Sequence, residues 1–220
     1  MIKVGSNTVT FPYSKIYVGD TLVWQNTPTP TPTYVNYIEG TGTQYVDTGI
    51  APLSTYKAEI DFELTDTSVW GTIFGQNYAS NYRDECYKCD GKFAYNSGSS
   101  RARTKTVNTP DTNRHTIVYN DGNKYYLDNT EVTAVGTNAK WHTSGFSAGN
   151  IFLFHYENNS ALTSSIGKGK IYGFKVTDTT YNTVVLDLKP ALDNNNVPCF
   201  FDTVSNTFKY DCNGNTFLYG

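Results

Sequence analysis

Methionine is nearly missing from this chain: Met1 is the single one in 220 residues. Leucine is sparse as well, and no stretch keeps a helical period, which excludes long amphipathic helices. Charge is scarce and balanced, with 17 Lys and Arg against 20 Asp and Glu and a formal net charge of −3. That excludes the basic footprint of a nucleic-acid binder. The one short basic run, Arg101, Arg103 and Lys105, reads as a solvated hairpin. No segment is long and apolar enough to span a membrane. The opening Met1-Ile2-Lys3-Val4-Gly5-Ser6-Asn7 lacks the apolar core of a secretory signal. The three histidines, His115, His142 and His155, are far apart and show neither metal-ligand nor triad spacing. The four cysteines form one Cys-x-x-Cys pair, Cys86 and Cys89, and a second pair, Cys199 and Cys212, that is not knuckle-spaced. Two such knuckles at finger spacing would point to zinc; this pattern does not, and free or structural thiols are expected. No G-x-S-x-G, P-loop or Rossmann signature is present.

What the chain has instead is Tyr, Thr, Asn and Gly. Tyr and Thr suit pleated, half-buried strands, and Asn and Gly suit the turns between them because both tolerate positive φ. The length fits one sizeable domain better than two. Three parts follow. Residues 1–26 hold two short alternating runs, Lys15-Ile16-Tyr17-Val18 and Thr21-Leu22-Val23-Trp24, around Gly19-Asp20; these predict a tight hairpin. A hairpin alone is marginal in water, so Ile16, Tyr17, Val18, Leu22 and Trp24 are the expected docking residues of an anchor. Residues 27–33, Thr-Pro-Thr-Pro-Thr-Pro-Thr, cannot join a sheet interior. They predict an extended spacer of about 20 Å at roughly 3.1 Å per residue.

Residues 34–220 read as many short strands separated by turn signals, the pattern of an all-β sandwich or jelly roll. Residues 57–64 alternate, with Ala58, Ile60, Phe62 and Leu64 facing one way and Lys57, Glu59, Asp61 and Glu63 the other. Strands are also expected at 69–74, 115–119, 124–128, 151–154, 170–177 and 183–188. Asn120-Asp121-Gly122-Asn123 forms a hairpin turn, and a closing pair, 207–210 and 216–219, is joined across 212–215.

The order of several motifs resembles a known family. Tyr37-Ile38-Glu39-Gly40-Thr41-Gly42-Thr43-Gln44-Tyr45-Val46-Asp47-Thr48-Gly49 is similar to the opening signature of concanavalin A-like, laminin-G-like domains found in virion proteins of bacteriophages and prophages of gut bacteria. Asn123-Lys124-Tyr125-Tyr126-Leu127-Asp128, Asn150-Ile151-Phe152-Leu153-Phe154 and Lys170-Ile171-Tyr172-Gly173-Phe174-Lys175-Val176 resemble its later strands. The block Leu188-Lys189-Pro190-Ala191-Leu192-Asp193, then Val197-Pro198-Cys199-Phe200-Phe201-Asp202 and Phe208, resembles its close. After the Asn123–Asp128 motif, Asn129 stands where the family has Gly. Residues 15–24 also resemble short openings of phage tail-associated and virion proteins.

The resemblance implies a concanavalin A-like jelly-roll sandwich, here preceded by a β-hairpin anchor and a Thr-Pro linker. It implies a non-enzymatic virion component, a head fibre, decoration or tail-associated protein, that reaches the particle by assembly in the host and release by lysis. Its expected partners are other virion proteins through residues 1–26, further copies of itself (a trimer) and a host or environmental glycan. A fold does not fix a ligand, so two alternatives stand beside this reading: a free carbohydrate-binding module, and a glycosidase.

The glycosidase alternative rests on Glu59-Ile60-Asp61-Phe62-Glu63, whose carboxylates share one strand face. Some concanavalin A-like hydrolases carry an E-x-D-x-E strand, and the resemblance would make Glu59 the nucleophile, Glu63 the acid/base and Asp61 the group that tunes them; a retaining pair needs carboxyls about 5–5.5 Å apart. The competing reading is a solvated outer face. Glycan contact is expected from Gln76, Asn77, Tyr78, Tyr82, Trp141, His142, Tyr156 and Asn158, because aromatic faces and amides are the groups that recognise sugars. Some laminin-G-like domains hold Ca²⁺ with Asp and backbone carbonyls. No dense acidic loop supports one here, and no cofactor is expected.

Overall fold

The computed structural model describes residues 2–4, 7–9, 15–18, 20–25, 30–68, 71–79, 82–89, 92–96, 104–107, 111–132, 141, 149–155 and 167–220. The chain divides into two compact units, Met1–Thr31 and Pro32–Gly220. The first holds two antiparallel pairs: β1 (Ile2–Val4) with β2 (Asn7–Val9), and β3 (Lys15–Val18) with β4 (Thr21–Gln25). Val18 sits opposite Thr21, and a register irregularity follows between Ile16 and Tyr17. All five expected docking residues lie on β3 and β4. The β1–β2 pair, joined across Gly5-Ser6, is not among the strands expected from the sequence.

The second unit is all-β, with no helix among the described residues and every strand pair antiparallel. Its strands are β5 (Thr33–Tyr34), β6 (Ile38–Thr41), β7 (Val46–Asp47), β8 (Tyr56–Leu64), β9 (Gly71–Ala79), β10 (Tyr82–Cys89), β11 (Lys92–Asn96) and β12 (Thr104–Val107). There follow β13 (Arg114–Asp121), β14 (Lys124–Leu127), β15 (Thr130–Glu131), β16 (Phe152–Leu153), β17 (Lys168–Asp178), β18 (Thr183–Leu192), β19 (Pro198–Asp202), β20 (Thr207–Lys209) and β21 (Leu218–Tyr219). The smaller sheet runs β12-β11-β10-β9-β16-β7, and the larger runs β15-β14-β13-β8-β17-β18-β19-β20, with β5, β6 and β21 attached at its side.

The two sheets bury their facing sides against each other. Rings meet across the gap: Phe62 of β8 with Phe93 of β11 at 5.6 Å, Phe174 of β17 with Phe74 of β9 at 5.4 Å, and Tyr125 of β14 stacked on Tyr95 of β11 at 4.8 Å. The expected inward set on β8, Ala58, Ile60, Phe62 and Leu64, is buried without exception. Tyrosine is a core residue here as much as a surface one: Tyr45, Tyr95, Tyr119 and Tyr125 are all buried.

Turn chemistry sets the register. Gly122 and Asn123, both at positive φ (61° and 64°), form the two-residue loop between β13 and β14, with Asp121 opposite Lys124. A loop with both central residues at positive φ matches the twist of the strands that it joins. Most other non-glycine residues at positive φ are Asn, but Phe154 (φ 63°) is buried. Packing holds it there: its ring lies over Gly40 and 6.1 Å from Phe217. The closing strands do not pair with each other as their spacing predicts. β20 adds to β19, whereas β21 crosses to β6, with Leu218 opposite Glu39. Burial of Phe217 (2 % exposed) against Phe154 and Phe200 carries the chain to that other edge.

Candidate functional site

The alternation of β8 puts Lys57, Glu59, Asp61 and Glu63 on the outer face of the larger sheet, between β13 and β17. Register then chooses their partners. Glu59 lies opposite Lys175 and Glu63 opposite Lys170, and both pairs close, with Oε2 of Glu59 3.0 Å from Lys175 Nζ and Oε1 of Glu63 2.7 Å from Lys170 Nζ. Arg114 lies opposite Glu63, yet its guanidinium turns to grip Asp61 with two nitrogens, Nε donating at 2.6 Å. Opposite charges facing each other across a sheet are the pairs that stabilise it.

Tyr172 completes the patch. It is the extra residue of a bulge: Ile171 pairs with Phe62 and Gly173 with Asp61, which leaves Tyr172 without a counterpart on β8. Bulges re-aim side chains, and this one turns the phenol outward. The Tyr172 hydroxyl donates to Glu63 Oε2 at 2.7 Å, Arg114 lies 3.8 Å above the ring, and Tyr37 meets its edge at 5.7 Å. Lys170 lies 4.9 Å over the Tyr37 ring.

The electrostatics all favour ionised pairs. Hydrogen bonds from Lys170 and then Tyr172 hold the Glu63 carboxyl below its usual range. The bond to Asp61 raises Arg114, and the bond to Glu63 raises Lys170. Burial, with the bond to Glu63, pushes Tyr172 up to about 12. A glycosidase acid must be pushed upward so that it still carries a proton near neutral pH. Glu63 is moved the other way, and each of the three carboxylates already has a cation.

Beside Tyr172 lies an open groove of about 360 Å³, lined by Tyr34, Val35, Tyr172, Lys189, Pro190 and Thr203. Tyr34 is 57 % exposed, and its ring edge rests 6.4 Å from Phe201. Lys189 Nζ is 2.9 Å from Asp187 Oδ1, and the Thr203 hydroxyl donates to Asp187 Oδ2 at 3.0 Å. A second crevice, between Phe62, Ile73 and Phe154, has a volume of about 10 Å³ and holds a water at most.

Of the glycan residues expected from the sequence, Gln76 and Trp141 are described with their side chains, and neither lines this groove. Trp141 is a core residue, 2 % exposed and packed 4.7 Å from Tyr119 and 6.2 Å from Phe74. Gln76 is fully buried on β9 and donates to Asp84 at 2.8 Å. Neither faces a ligand: Trp141, outside any strand, packs between Phe74 of the smaller sheet and Tyr119 of the larger, and Gln76 is enclosed within the smaller sheet. Asn77, Tyr78 and Tyr82 lie on β9 and β10. His142, Tyr156 and Asn158 lie outside the described residues. Conversely, Tyr34, Tyr37, Arg114, Tyr172 and Lys189 were missed as site residues. Four of them stand at outward positions on strands and Tyr37 just before β6, but their convergence depends on pairings across many residues.

Among the described residues no group of three or more His, Cys, Asp or Glu side chains could hold a metal ion. Cys86, Cys199 and Cys212 are free thiols. Burial raises Cys86 well above its ordinary value and pushes Cys199 up to about 12, so neither is a poised nucleophile. His115 is held between two carboxylates, Nδ1 2.7 Å from Asp128 and Nε2 2.9 Å from Asp111. His155 is buried against Tyr45 and Phe152. No family model matches this chain, and no curated protein matches it.

Proposed function

We propose that residues 34–220 are a concanavalin A-like, laminin-G-like jelly-roll module of a bacteriophage virion protein, a head fibre or tail-associated component, which binds glycans without cleaving them. The observation that carries the binding reading is the outer face of the larger sheet. It offers tyrosine rings beside an open groove, and its carboxylates are tied to cations where a hydrolase would need one poised to give up a proton. The virion reading rests on the ordered motifs of residues 37–208 and on the hairpin and Thr-Pro segment before them. In this reading β3 and β4 dock to other virion proteins, the spacer projects the sandwich, and copies of the chain associate symmetrically, as fibre components do.

The test is direct. Purified protein is incubated with host-surface polysaccharide, and co-sedimentation and new reducing ends are read from the same tubes. Saturable binding without new ends is the expected result. New reducing ends that vanish in Glu59→Gln would replace this reading with a glycosidase.

A further inference from the structure

The groove beside Tyr172 has the composition of a specific kind of subsite. Its one charged lining group, Lys189, is already matched by Asp187 at 2.9 Å. The nearby cations Arg114 and Lys170 are matched by Asp61 and Glu63. A carboxylate or phosphate ligand would therefore meet only cations whose charge is already offset, beside the carboxylates that offset it, and its desolvation would be poorly compensated. Neutral hydroxyls face no such cost. Lys189 Nζ lies at ion-pair distance from Asp187 and has donors to offer a hydroxyl, and the Thr203 hydroxyl, which donates to Asp187, keeps lone pairs to accept.

The rings supply the rest. Tyr34 presents more than half its surface, on a two-residue strand clipped to β18 opposite Ala191. The backbone N–H of Val35 donates to the Pro190 carbonyl at 3.1 Å and closes the same side. Tyr172 cannot turn freely: Glu63 holds its hydroxyl, Arg114 covers one face and Tyr37 abuts its edge. A ring held in place before the ligand arrives loses little entropy on binding. A pyranose has an apolar C–H face to lay on a tyrosine and hydroxyls at its rim for paired donors and acceptors.

We propose that the groove lined by Tyr34, Tyr172, Lys189 and Thr203 is a subsite for a neutral hexopyranose unit of a polysaccharide. The proposal deepens the binding-module reading and rests on it. It places the contact on the outer face of the larger sheet, on residues other than those the sequence pointed to.

The experiment is affinity electrophoresis of the full chain through gels containing soluble mannan, laminarin or polygalacturonate, run beside the host-polysaccharide sedimentation. Tyr34→Ala and Tyr34→Phe are compared with the parent. Tyr34 is exposed, so unchanged thermal midpoints are the check on folding. The expected result is retardation by a neutral polysaccharide that falls about tenfold in Tyr34→Ala and is largely retained in Tyr34→Phe, since the ring face is what is lost. Four outcomes overturn the proposal. Neutral binding unchanged in Tyr34→Ala places the site elsewhere. Retardation by polygalacturonate alone gives the wrong ligand charge. Host-polysaccharide sedimentation that survives Tyr34→Ala sinks the groove and leaves the binding module standing. If neither gel nor sedimentation shows binding in the parent, the module reading falls and the groove with it.

Discussion

The two faces of β8 use the same nine residues in opposite ways. On the inner face, Ala58, Ile60, Phe62 and Leu64 disappear into an aromatic interior shared with the smaller sheet. On the outer face, Lys57, Glu59, Asp61 and Glu63 stay partly exposed; the three carboxylates take partners from β13 and β17, and Lys57 pairs with Glu59 on β8 itself. Inner contacts remove apolar area from water and tolerate no vacancy. Outer contacts exchange solvated ions for solvated pairs, so each contributes little to stability. The inner face holds the fold, and the outer face is free to be specialised.

The sharpest way to break this contrast is Phe62→Ala. It removes a ring packed on Phe93 and should cost about 3–5 kcal/mol, read as a lower urea midpoint at unchanged slope. A loss under 1 kcal/mol would mean that the two sheets are not packed as described.

The histidines extend the comparison to pH. Burial holds interior His155 down to about 4, from an ordinary 6.5. Its folded pKa is the lower one, so the stability it contributes is present above pH 6.5 and is lost as pH falls toward 4, up to about 3 kcal/mol. His155→Phe should flatten that part of the acid limb in a pH series of thermal midpoints. At the rim, burial opposes the charge of His115, but bonds to Asp128 and Asp111 outweigh it and raise its pKa. Its contribution has the opposite sign: present below pH 6.5, and lost as pH rises through the folded pKa. Asp111→Asn should reduce that term alone, as NMR titration of the His115 ring would report.

Gly169→Ala tests the seam between the faces. A Cβ there would run into the backbone carbonyl of Glu63 on β8, so a cost of about 1–3 kcal/mol is expected by calorimetry. The smallest effect belongs to the outer face. A double-mutant cycle on Arg114→Ala and Asp61→Ala should return a coupling of about 0.2–1 kcal/mol, since both groups are substantially exposed and screened. A coupling of several kcal/mol would show that the outer pairs hold the fold too.

Much of this was legible in residues read singly or in short runs. The alternation of β8, the Gly122-Asn123 turn and the scarcity of helix formers all reported local preference, and local preference agrees with the final fold. The failures share one cause. Trp141 and Gln76 look like ligand groups because aromatic and amide side chains serve both cores and sugars, and only burial distinguishes the two uses. The β20 and β21 runs look like a hairpin because they are neighbours in sequence. The burial of Phe217 decided otherwise.

The sequence by itself determined the strand-forming composition, the side of β8 that each residue faces and the chemistry available on its surface, because a two-residue side-chain period needs no knowledge of distant partners. Only the tertiary structure decided that Arg114 would grip Asp61, that a bulge would aim Tyr172 outward, and that Tyr34, Lys189 and Thr203 would meet beside it. Those meetings depend on the order and register of strands far apart in the chain. They are set by how two aromatic sheet faces fit together, which no local pattern encodes.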